Sequence, residues 1–364
     1  MKKILALVLA LCMVFALCAC GQAAAPAAAP AEAPAEEAAA PAEEAAAPAE
    51  EAAPAAAEYK LGMGVSVSTD STKDGLAQVD ATFAAVVTDA NGVIVAVRLD
   101  CAQNKMDVSA GVCDPAKAFE SKMELGDAYN MKTYGNSIGE WYDEAKGFEA
   151  YCVGKTATEI AGMELVVNEE GHHVSTDEAL LATCTISVEA FIEAVVKACD
   201  DAWAVSFESD GNFTVGAACK STADESTDPT DDTAGVVKMY TEFGAAVIDA
   251  DGVVLAALND AIQPQIGFDK AGAIGDVKFV GTKRELGDNY NMVKYGAAIA
   301  EWDAQSAAFS AYCTGMTAAE IMALETQVNE EGHEVSVDDA LLAQCTMSIG
   351  GMMAVIATAA EYAR

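Results

Sequence analysis

The sequence predicts an α+β fold of two tandem homologous domains, each an antiparallel sheet with helices packed on it, after a disordered tether. Three observations lead to this prediction. A segment composed mainly of Ala, Pro and Glu precedes a longer part of ordinary composition. That longer part carries the same motifs twice, and in each copy hairpin-like segments come before helix-like segments. Hairpins followed by helices are typical of helices packed on an antiparallel sheet.

The first residues predict export and anchoring. Lys2 and Lys3 precede an apolar run over residues 4–19, which is the pattern of a secretory signal peptide. The run ends in Leu-Cys-Ala followed by Cys20, and this spacing resembles a bacterial lipobox, whose cysteine is lipidated after cleavage. We therefore expect a lipoprotein signal peptide over 1–19, a lipid on Cys20 and a location on the extracellular face of the cell membrane. An uncleaved membrane anchor is the alternative for the same apolar run.

Residues 20–57 predict a tether between the lipidated cysteine and the folded part. Six of the nine prolines lie here, among alanines and glutamates. Because proline blocks a continuous helix and the carboxylates repel one another, we expect a semi-extended segment. Its function would be reach, since it holds the folded part away from the membrane.

The charge of the chain excludes one class of partner. The sequence has 57 acidic against 20 basic residues and a net charge of -37, so it would repel the phosphates of a nucleic acid. Only eight of the acidic residues lie before Tyr59, so the acidity belongs to the repeated part.

Everything after the tether is an internal duplication, and it predicts two domains. We name residues 58–203 repeat 1 and residues 204–364 repeat 2. A duplicated block of this size is typical of a single domain. The matching segments are Glu124–Met131 with Glu285–Met292, Trp141 with Trp302, Tyr151 with Tyr312, and Asn168–His172 with Asn329–His333.

Within a repeat, the order of strands and helices is predicted by local patterns. Apolar runs at 83–88 and 93–99 flank an Asp-Ala-Asn-Gly turn, and runs at 245–248 and 253–258 flank Asp-Gly, which predicts a hairpin in each repeat. A helix from Ile138 to Cys152 follows from apolar residues three and four apart. Thr-x-x-Glu at 156–159 and 317–320 predicts a capping box for a second, short helix. Each repeat closes with a helix beginning near Ser187 or Ser348.

The first candidate site is the Cys-Thr-x-Ser run that precedes each closing helix. Ser187 and Ser348 are the expected N-caps of these helices. A group on Thr185 or Thr346 would then lie beside free backbone N–H groups and the positive end of the helix dipole, where a phosphate is stabilised. The alternative is a short strand and a capped helix without a ligand. Cys184 and Cys345 complete this candidate site.

The second candidate site is the repeated Glu-Leu-Gly-Asp-x-Tyr-Asn-Met motif. A loop with glycine, tyrosine and methionine can hold a flat ring, because the aromatic ring or the thioether packs against its face. The alternative is a tight loop that bonds to itself and packs on the next helix. The candidate residues are Gly126, Tyr129 and Met131 in repeat 1, and Gly287, Tyr290 and Met292 in repeat 2.

Other chemistry finds little support in the sequence. The Asn-Glu-Glu-Gly-His segments are interpreted as solvated turns, and the acidic segment 224–232 lacks the spacing of a calcium loop, so no metal site is predicted. No hydrolase elbow, phosphate-binding glycine loop or dinucleotide-binding motif is present, and no catalytic residue is predicted. The cysteines show no regular pairing that would indicate a disulfide framework.

The Cys-Thr-x-Ser run at the end of each repeat resembles the FMN-binding domain family, whose members carry Ser-Gly-Ala-Thr-x-Ser/Thr before a final helix. Here the first three residues are Ala-Thr-Cys and Ala-Gln-Cys. The lipobox, tether and two domains are also similar to the tandem flavinylated lipoproteins of Gram-positive extracellular electron transfer. The resemblance implies FMN bound to Thr185 and Thr346 through a phosphoester that a flavin transferase places.

The resemblance implies an electron carrier rather than a turnover enzyme. Its flavins would cycle between a membrane quinone dehydrogenase and an external electron acceptor. A covalent bond suits this protein, because an acidic chain is a poor noncovalent host for an anionic flavin and lost cofactor is diluted outside the cell. Two alternatives remain: a cell-surface module that binds a solute or polymer without a redox cofactor, and a structural surface lipoprotein.

Overall fold

The computed structural model describes residues 56–364, except residues 136, 170 and 297. The predicted signal peptide, the lipidated Cys20 and nearly all of the tether lie outside the described residues. The described residues belong to one compact unit, Ala53–Arg364. No helix within the described part of the chain is long and apolar enough to cross a membrane.

The secondary structure of repeat 1 begins with long strands and continues with short helices. Two 3₁₀ turns, Gly126–Tyr129 here and Gly287–Tyr290 in repeat 2, interrupt the helical parts. The elements of repeat 1 are β1 (Ala57–Ser68), β2 (Leu76–Asp89), β3 (Ile94–Asp107), α1 (Lys122–Leu125), α2 (Met131–Tyr134), α3 (Trp141–Cys152), α4 (Ala157–Ala161), β4 (Leu165–Val167), β5 (His173–Ser175), α5 (Glu178–Leu181) and α6 (Glu189–Cys199).

Repeat 2 follows the same order with additional strands. Its elements are β6 (Val205–Ser209), β7 (Thr214–Thr222), β8 (Gly235–Lys238), β9 (Tyr240–Ile248), β10 (Val254–Ile262), β11 (Gln265–Phe268), β12 (Ile274–Lys278), α7 (Lys283–Leu286), α8 (Met292–Gly296), α9 (Trp302–Tyr312), α10 (Ala318–Met322), β13 (Thr326–Val328), β14 (Glu334–Ser336), α11 (Asp339–Leu342) and α12 (Gly350–Glu361).

The α+β prediction is confirmed, and the paired strands of the described residues are antiparallel. The sheet of repeat 1 has the order β3-β2-β1-β6, and the main sheet of repeat 2 has the order β10-β9-β7. A smaller sheet, β12-β11-β8, extends repeat 2. The predicted hairpins are β2–β3 and β9–β10, and their strands are longer than the apolar runs that predicted them. β6 pairs with β1 although it follows the predicted boundary at 203/204, and that boundary stays a prediction.

The two main sheets share one apolar core. In β2 the odd-numbered residues from Ala77 to Val87 face this core together with residues of β7 and β9. The rings of Phe83 and Phe243, one from each repeat, lie with their centroids 4.9 Å apart. Because successive side chains of a strand point to opposite faces, Ala84 and Val86 face the other way, toward the helices of repeat 1. Each main sheet therefore packs on the other sheet with one face and on the helices of its own repeat with the opposite face.

A buried ion pair joins the repeats beside this core. Arg284 of repeat 2 donates from Nη2 to both carboxylate oxygens of Asp201 at 3.0 Å, and both side chains are 6% exposed. Asp201 also accepts from the backbone N–H of Met63 at 3.1 Å, so its charge has several donors. Removing one partner of such a pair leaves an uncompensated buried charge, which makes the contact specific for this arrangement of the repeats.

The predicted helix boundaries are partly right. α3 begins at Trp141, so the prediction that this helix includes Ile138 was wrong, and Ile138 is 55% exposed. The capping boxes of α4 and α10 are confirmed, with Thr156 and Thr317 as N-caps. The predicted N-caps Ser187 and Ser348 are wrong by one residue, because Val188 and Ile349 occupy these positions.

Candidate functional site

A cleft of about 570 Å³ lies in repeat 2. Its lining comes from the end of β7, the starts of α7 and α9, the turn between β13 and β14, and the segment before α12. Thr346, Ser348, Tyr290 and Met292 are all among the lining residues. The structure thus brings together residues from the two motifs that the sequence singled out separately.

Lys283 lies in an aromatic cage inside this cleft. Its ammonium nitrogen is 4.6 Å from the ring centroid of Tyr240, 4.9 Å from that of Tyr290 and 5.4 Å from that of Trp302. The side chain is 8% exposed. Burial lowers the pKa of Lys283 to about 8, although the carboxylates of Glu242 and other neighbours oppose this shift. Near neutral pH the cage therefore holds a cation that has little water around it.

The turn that carries Lys283 is fixed by its own capping box. Thr282 Oγ1 accepts from the backbone N–H of Glu285 at 3.1 Å, and Glu285 Oε2 accepts from the N–H of Thr282 at 3.0 Å. The backbone N–H of Arg284 donates to Asp260 Oδ1 at 3.1 Å, which ties the turn to β10. Burial raises the pKa of Asp260 to about 6, against the opposing effect of Arg284. These bonds set the direction of the lysine.

Tyr290 and Met292 are held by polar contacts to residues outside their own segment. Tyr290 Oη donates to Gln263 Oε1 at 3.3 Å, and burial raises the pKa of this phenol. The backbone N–H of Met292 donates to Glu301 Oε2 at 2.7 Å, and Glu301 is the residue before α9. The Tyr-Asn-Met motif is therefore attached to the start of the helix that carries Trp302.

Thr346 is held by a buried glutamine. The backbone N–H of Thr346 donates to Gln305 Oε1 at 2.8 Å, and its hydroxyl donates to the same oxygen at 3.3 Å. Gln305 is fully buried, and its Nε2 donates to the carbonyl of Ala300 at 2.7 Å. Thr346 is half-buried and borders the cleft.

The two serines of the Cys-Thr-x-Ser runs have another function than the predicted one. Ser348 Oγ accepts from the backbone N–H of Glu334 at 3.1 Å, and Ser187 Oγ accepts from that of His173 at 3.3 Å. Both serines thus attach the run to the small β-hairpin of their repeat. Because α6 begins at Glu189 and α12 at Gly350, the threonines lie four residues before the first helical residue, outside the first turn of the helix.

The remaining predicted residues lie in a buried core or end a short helix. Cys184 and Cys345 are 1% and 0% exposed and belong to the helix-facing cores of their repeats. Gly126 and Gly287 have φ of 50° and 47° and end the short helices α1 and α7. Both positions need a backbone conformation that glycine adopts without a steric penalty.

Repeat 1 builds the same constellation with different partners. Lys122 Nζ lies 4.9 Å from the ring centroid of Tyr129 and 5.4 Å from that of Trp141. Thr185 donates from its backbone N–H and from its hydroxyl to Glu144 Oε2, at 2.6 and 2.9 Å. Met131 packs partly buried against the core of this repeat. The arrangement is duplicated, but the group that accepts the hydrogen bonds of the threonine is a carboxylate in repeat 1 and an amide in repeat 2.

Several lining residues were not predicted as site residues. Trp302 was noted in the sequence only as a repeated residue, and Lys283 was not singled out. Lys122 and Trp141 occupy the equivalent positions of repeat 1. A lysine present in both repeats of such an acidic chain was a signal that could have indicated a site residue. His333 and Glu331 of the turn between β13 and β14 also border the cleft, although this turn was interpreted as solvated.

Thiols and metal ligands add nothing to this site. The eight cysteines of the described residues are free, and burial raises the pKa of Cys345 to about 11 and that of Cys184 to about 12. Among residues 56–364, apart from the three gaps, no group of three or more His, Cys, Asp or Glu is placed to hold a metal ion.

Comparisons with known proteins give one partial relationship. The chain matches no family model, and no solved structure matches it. A chlorophenol reductase of Desulfitobacterium hafniense is 32% identical over 126 residues, which is 29% of this chain and 38% of that protein. The chain therefore matches well under half the length of this curated relative.

Proposed function

We propose that the protein is a membrane-anchored extracellular electron carrier that holds FMN as a phosphoester on the threonine of its Cys-Thr-x-Ser motif. One observation carries the proposal. Thr346 borders a cleft that is also lined by Tyr290, Met292 and the caged Lys283. An attachment point, ring-packing side chains and a cation are the three parts that such a cofactor needs.

The cleft has the size and chemistry for a flavin nucleotide. Its volume of about 570 Å³ falls within the usual range of small-molecule sites, roughly 300–1,000 Å³. Tyr290 and Trp302 offer aromatic surface, and Met292 offers a polarisable thioether. Lys238, Lys283 and His333 are basic lining residues, which partly offset the acidic ones. The residues present therefore fit the group.

When bound, a flavin supplies reversible one- and two-electron chemistry, and the chain supplies position and electrostatics. Gln305 fixes the backbone of Thr346 and so fixes the point of attachment. Lys283 provides a positive charge of low hydration that stabilises negative charge in the cleft. The aromatic cage stabilises that charge, since three ring centroids lie within 5.4 Å of the ammonium nitrogen.

A covalent bond is consistent with the charge of the protein. With a net charge of -37, the chain disfavours equilibrium binding of an anionic cofactor. A phosphoester removes the need for that affinity. The proposed partners are a flavin transferase that attaches the cofactor, a membrane quinone dehydrogenase that reduces it and an external acceptor that oxidises it. The partial relative bears the name of a reductase, which accords with a redox function.

The experiment is to produce the full chain with a flavin transferase and record intact mass and visible absorbance. We expect yellow protein with an FMN mass increment. Thr346→Ala should lose the increment on the peptide that contains this position, and Thr346→Ser should keep it because the hydroxyl remains. A colourless, unmodified chain would contradict the proposal.

A second candidate function is a cell-surface module that binds a solute without a redox cofactor. The acidic lining residues Asp224, Glu225 and Glu331 favour a cationic solute in the same cleft. The two functions separate in one measurement, because a solute-binding module remains unmodified when the transferase and flavin are supplied.

A further inference from the structure

The two attachment threonines bond to side chains of different charge. Thr185 directs its backbone N–H and its hydroxyl to one oxygen of Glu144, at 2.6 and 2.9 Å. Thr346 makes the corresponding bonds to the amide oxygen of Gln305, at 2.8 and 3.3 Å. Glu144 and Gln305 are equivalent in the repeats, and both are fully buried. In the described part of the chain, Glu144 forms no ion pair, and its other oxygen accepts from the N–H of Gly139 at 3.3 Å.

Attachment of a flavin removes the hydroxyl donor in both repeats, but its electrostatic consequence differs between them. In the transfer, the threonine Oγ1 forms a bond to phosphorus of the FMN half of flavin adenine dinucleotide, the pyrophosphate P–O bond breaks and AMP leaves. The hydroxyl proton goes to a base of the transferase. The ester oxygen can no longer donate, so at Thr185 a buried carboxylate would face a phosphoester at close range. Like charges without water between them repel strongly.

The neutral amide of Gln305 carries no such penalty. Esterification of Thr346 there breaks one long bond of 3.3 Å between neutral groups, and the stronger bond from the backbone N–H remains. Gln305 is also held independently by its bond to the carbonyl of Ala300. The attachment point in repeat 2 therefore keeps its geometry after modification.

A second difference acts in the same direction. Asp80 of β2 occupies the place of Tyr240 of β9, since each pairs with the last residue of the neighbouring strand, Ser68 or Thr222. Gln78 Nε2 donates to Oδ2 of Asp80 at 2.7 Å, while Oδ1 of Asp80 is buried without a hydrogen-bond partner. Repeat 1 thus places a carboxylate where repeat 2 places an aromatic wall of the lysine cage.

From these contacts we propose that flavin is attached at Thr346 and that Glu144 keeps Thr185 free of it. The proposal rests on the proposed function and narrows it, because the sequence led us to expect a flavin in each repeat. The chain then carries a single flavin, in repeat 2, and repeat 1 packs against the loaded repeat through the shared core.

The test is to load the purified full chain with a flavin transferase and flavin adenine dinucleotide, then measure intact mass and map the modified peptides. Wild type should gain one FMN increment, on the Thr346 peptide, with occupancy of Thr185 lower by about tenfold or more. Glu144→Gln should add a second increment on Thr185, because it gives repeat 1 the amide of repeat 2. Gln305→Glu should lower occupancy of Thr346.

A matched control is Glu178→Gln, which removes one exposed carboxylate of repeat 1 and should leave the loading unchanged. The decisive variant, Glu144→Gln, is read as a gain, so a folding defect cannot imitate the expected result. Two increments on wild type, one increment on Thr185, or a single increment on Glu144→Gln would each overturn this inference alone. A chain that takes up no flavin at either position would overturn the proposed function and this inference with it.

Discussion

Repeats 1 and 2 share a scaffold and differ in the charge beside their candidate sites. Both fix the lysine turn with a capping box, N-capped by Ser121 or Thr282, and both attach the Tyr-Asn-Met segment to a glutamate at the start of the tryptophan helix. The third cage position is Asp80 in one repeat and Tyr240 in the other. Duplication has thus kept the bonds that set geometry, while the electrostatics of the two sites have diverged.

The repeats also differ in the position of the glycine where each closing helix packs on its sheet. In repeat 1, Gly64 on β1 pairs with Ala84 on β2; in repeat 2, Ala218 on β7 pairs with Gly244 on β9. Each pair contains one glycine, which lies on the earlier strand of the pair in repeat 1 and on the later strand in repeat 2. A Cβ atom at Gly64 would lie 2.5 Å from the backbone nitrogen of Ala198, so the missing side chain is what lets the helix approach.

The largest effect is expected from Gly244→Ala. Its Cβ would lie 2.5 Å from the carbonyl carbon of Val355 in α12, and backbone atoms of a packed helix cannot move aside cheaply. We expect the free energy of unfolding to fall by about 3 kcal/mol, measured by urea denaturation. Gly275→Ala is the matched control, because its nearest heavy atom is 3.8 Å away.

Adding Ala218→Gly to Gly244→Ala copies the layout of repeat 1 into repeat 2. We expect this double variant to stay destabilised, because α12 lies over the strand that carries Gly244. Full recovery of stability would show instead that the closing helix tolerates the glycine on either strand, and the position of the glycine would then not distinguish the repeats.

The sequence predicted the parts of this fold that depend on local patterns. The hairpins β2–β3 and β9–β10 and the capping boxes at Thr156 and Thr317 each depend on a few neighbouring residues. The shared core between the repeats was not predictable in this way, because Phe83 and Phe243 are 160 positions apart and both faces of their strands are apolar. A strand that is buried on both sides gives no alternation that would reveal its partner.

The candidate site was predicted as two separate motifs, and only the fold joins them. Thr346 and Tyr290 were named from local sequence, whereas their meeting in one cleft depends on how α9 packs. Lys283 was missed as a site residue because its cage needs rings from three different segments. The serine caps were wrong because Ser348 bonds to a hairpin 14 residues earlier, a contact that competes with capping.

The next expected effect separates the two lysines by pH. Burial lowers the pKa of Lys283 to about 8, whereas at Lys122 the effect of burial is outweighed by Cys101, Tyr129 and Asp80, and the pKa is raised. Between pH 8 and 10 the unfolded chain still holds the Lys283 proton and the folded chain has released it. The stability that wild type derives from this residue therefore rises with pH in that window.

The measurement is the difference in free energy of unfolding between wild type and Lys283→Met at pH 8 and pH 10. We expect the difference to shift by about 2 kcal/mol in favour of wild type as pH rises, while wild type against Lys122→Met stays flat. The difference removes the titration of cysteines and other groups common to both proteins. Equal slopes for the two lysines would contradict the contrast between the cages.

The smallest effect concerns the serines that were expected to cap the closing helices. Ser348 is exposed and its hydroxyl accepts from the hairpin N–H of Glu334, so Ser348→Ala should cost less than about 0.5 kcal/mol. Thr317→Ala removes a true cap, whose hydroxyl accepts from the N–H of Glu320, and should cost about 1 kcal/mol. Ser187→Ala should behave like Ser348→Ala, because its hydroxyl makes the same hairpin contact in repeat 1. If Ser348→Ala cost as much as Thr317→Ala in urea denaturation, the serine would act as a helix cap after all, and the threonine beside it would lie closer to the helix dipole than the structure places it.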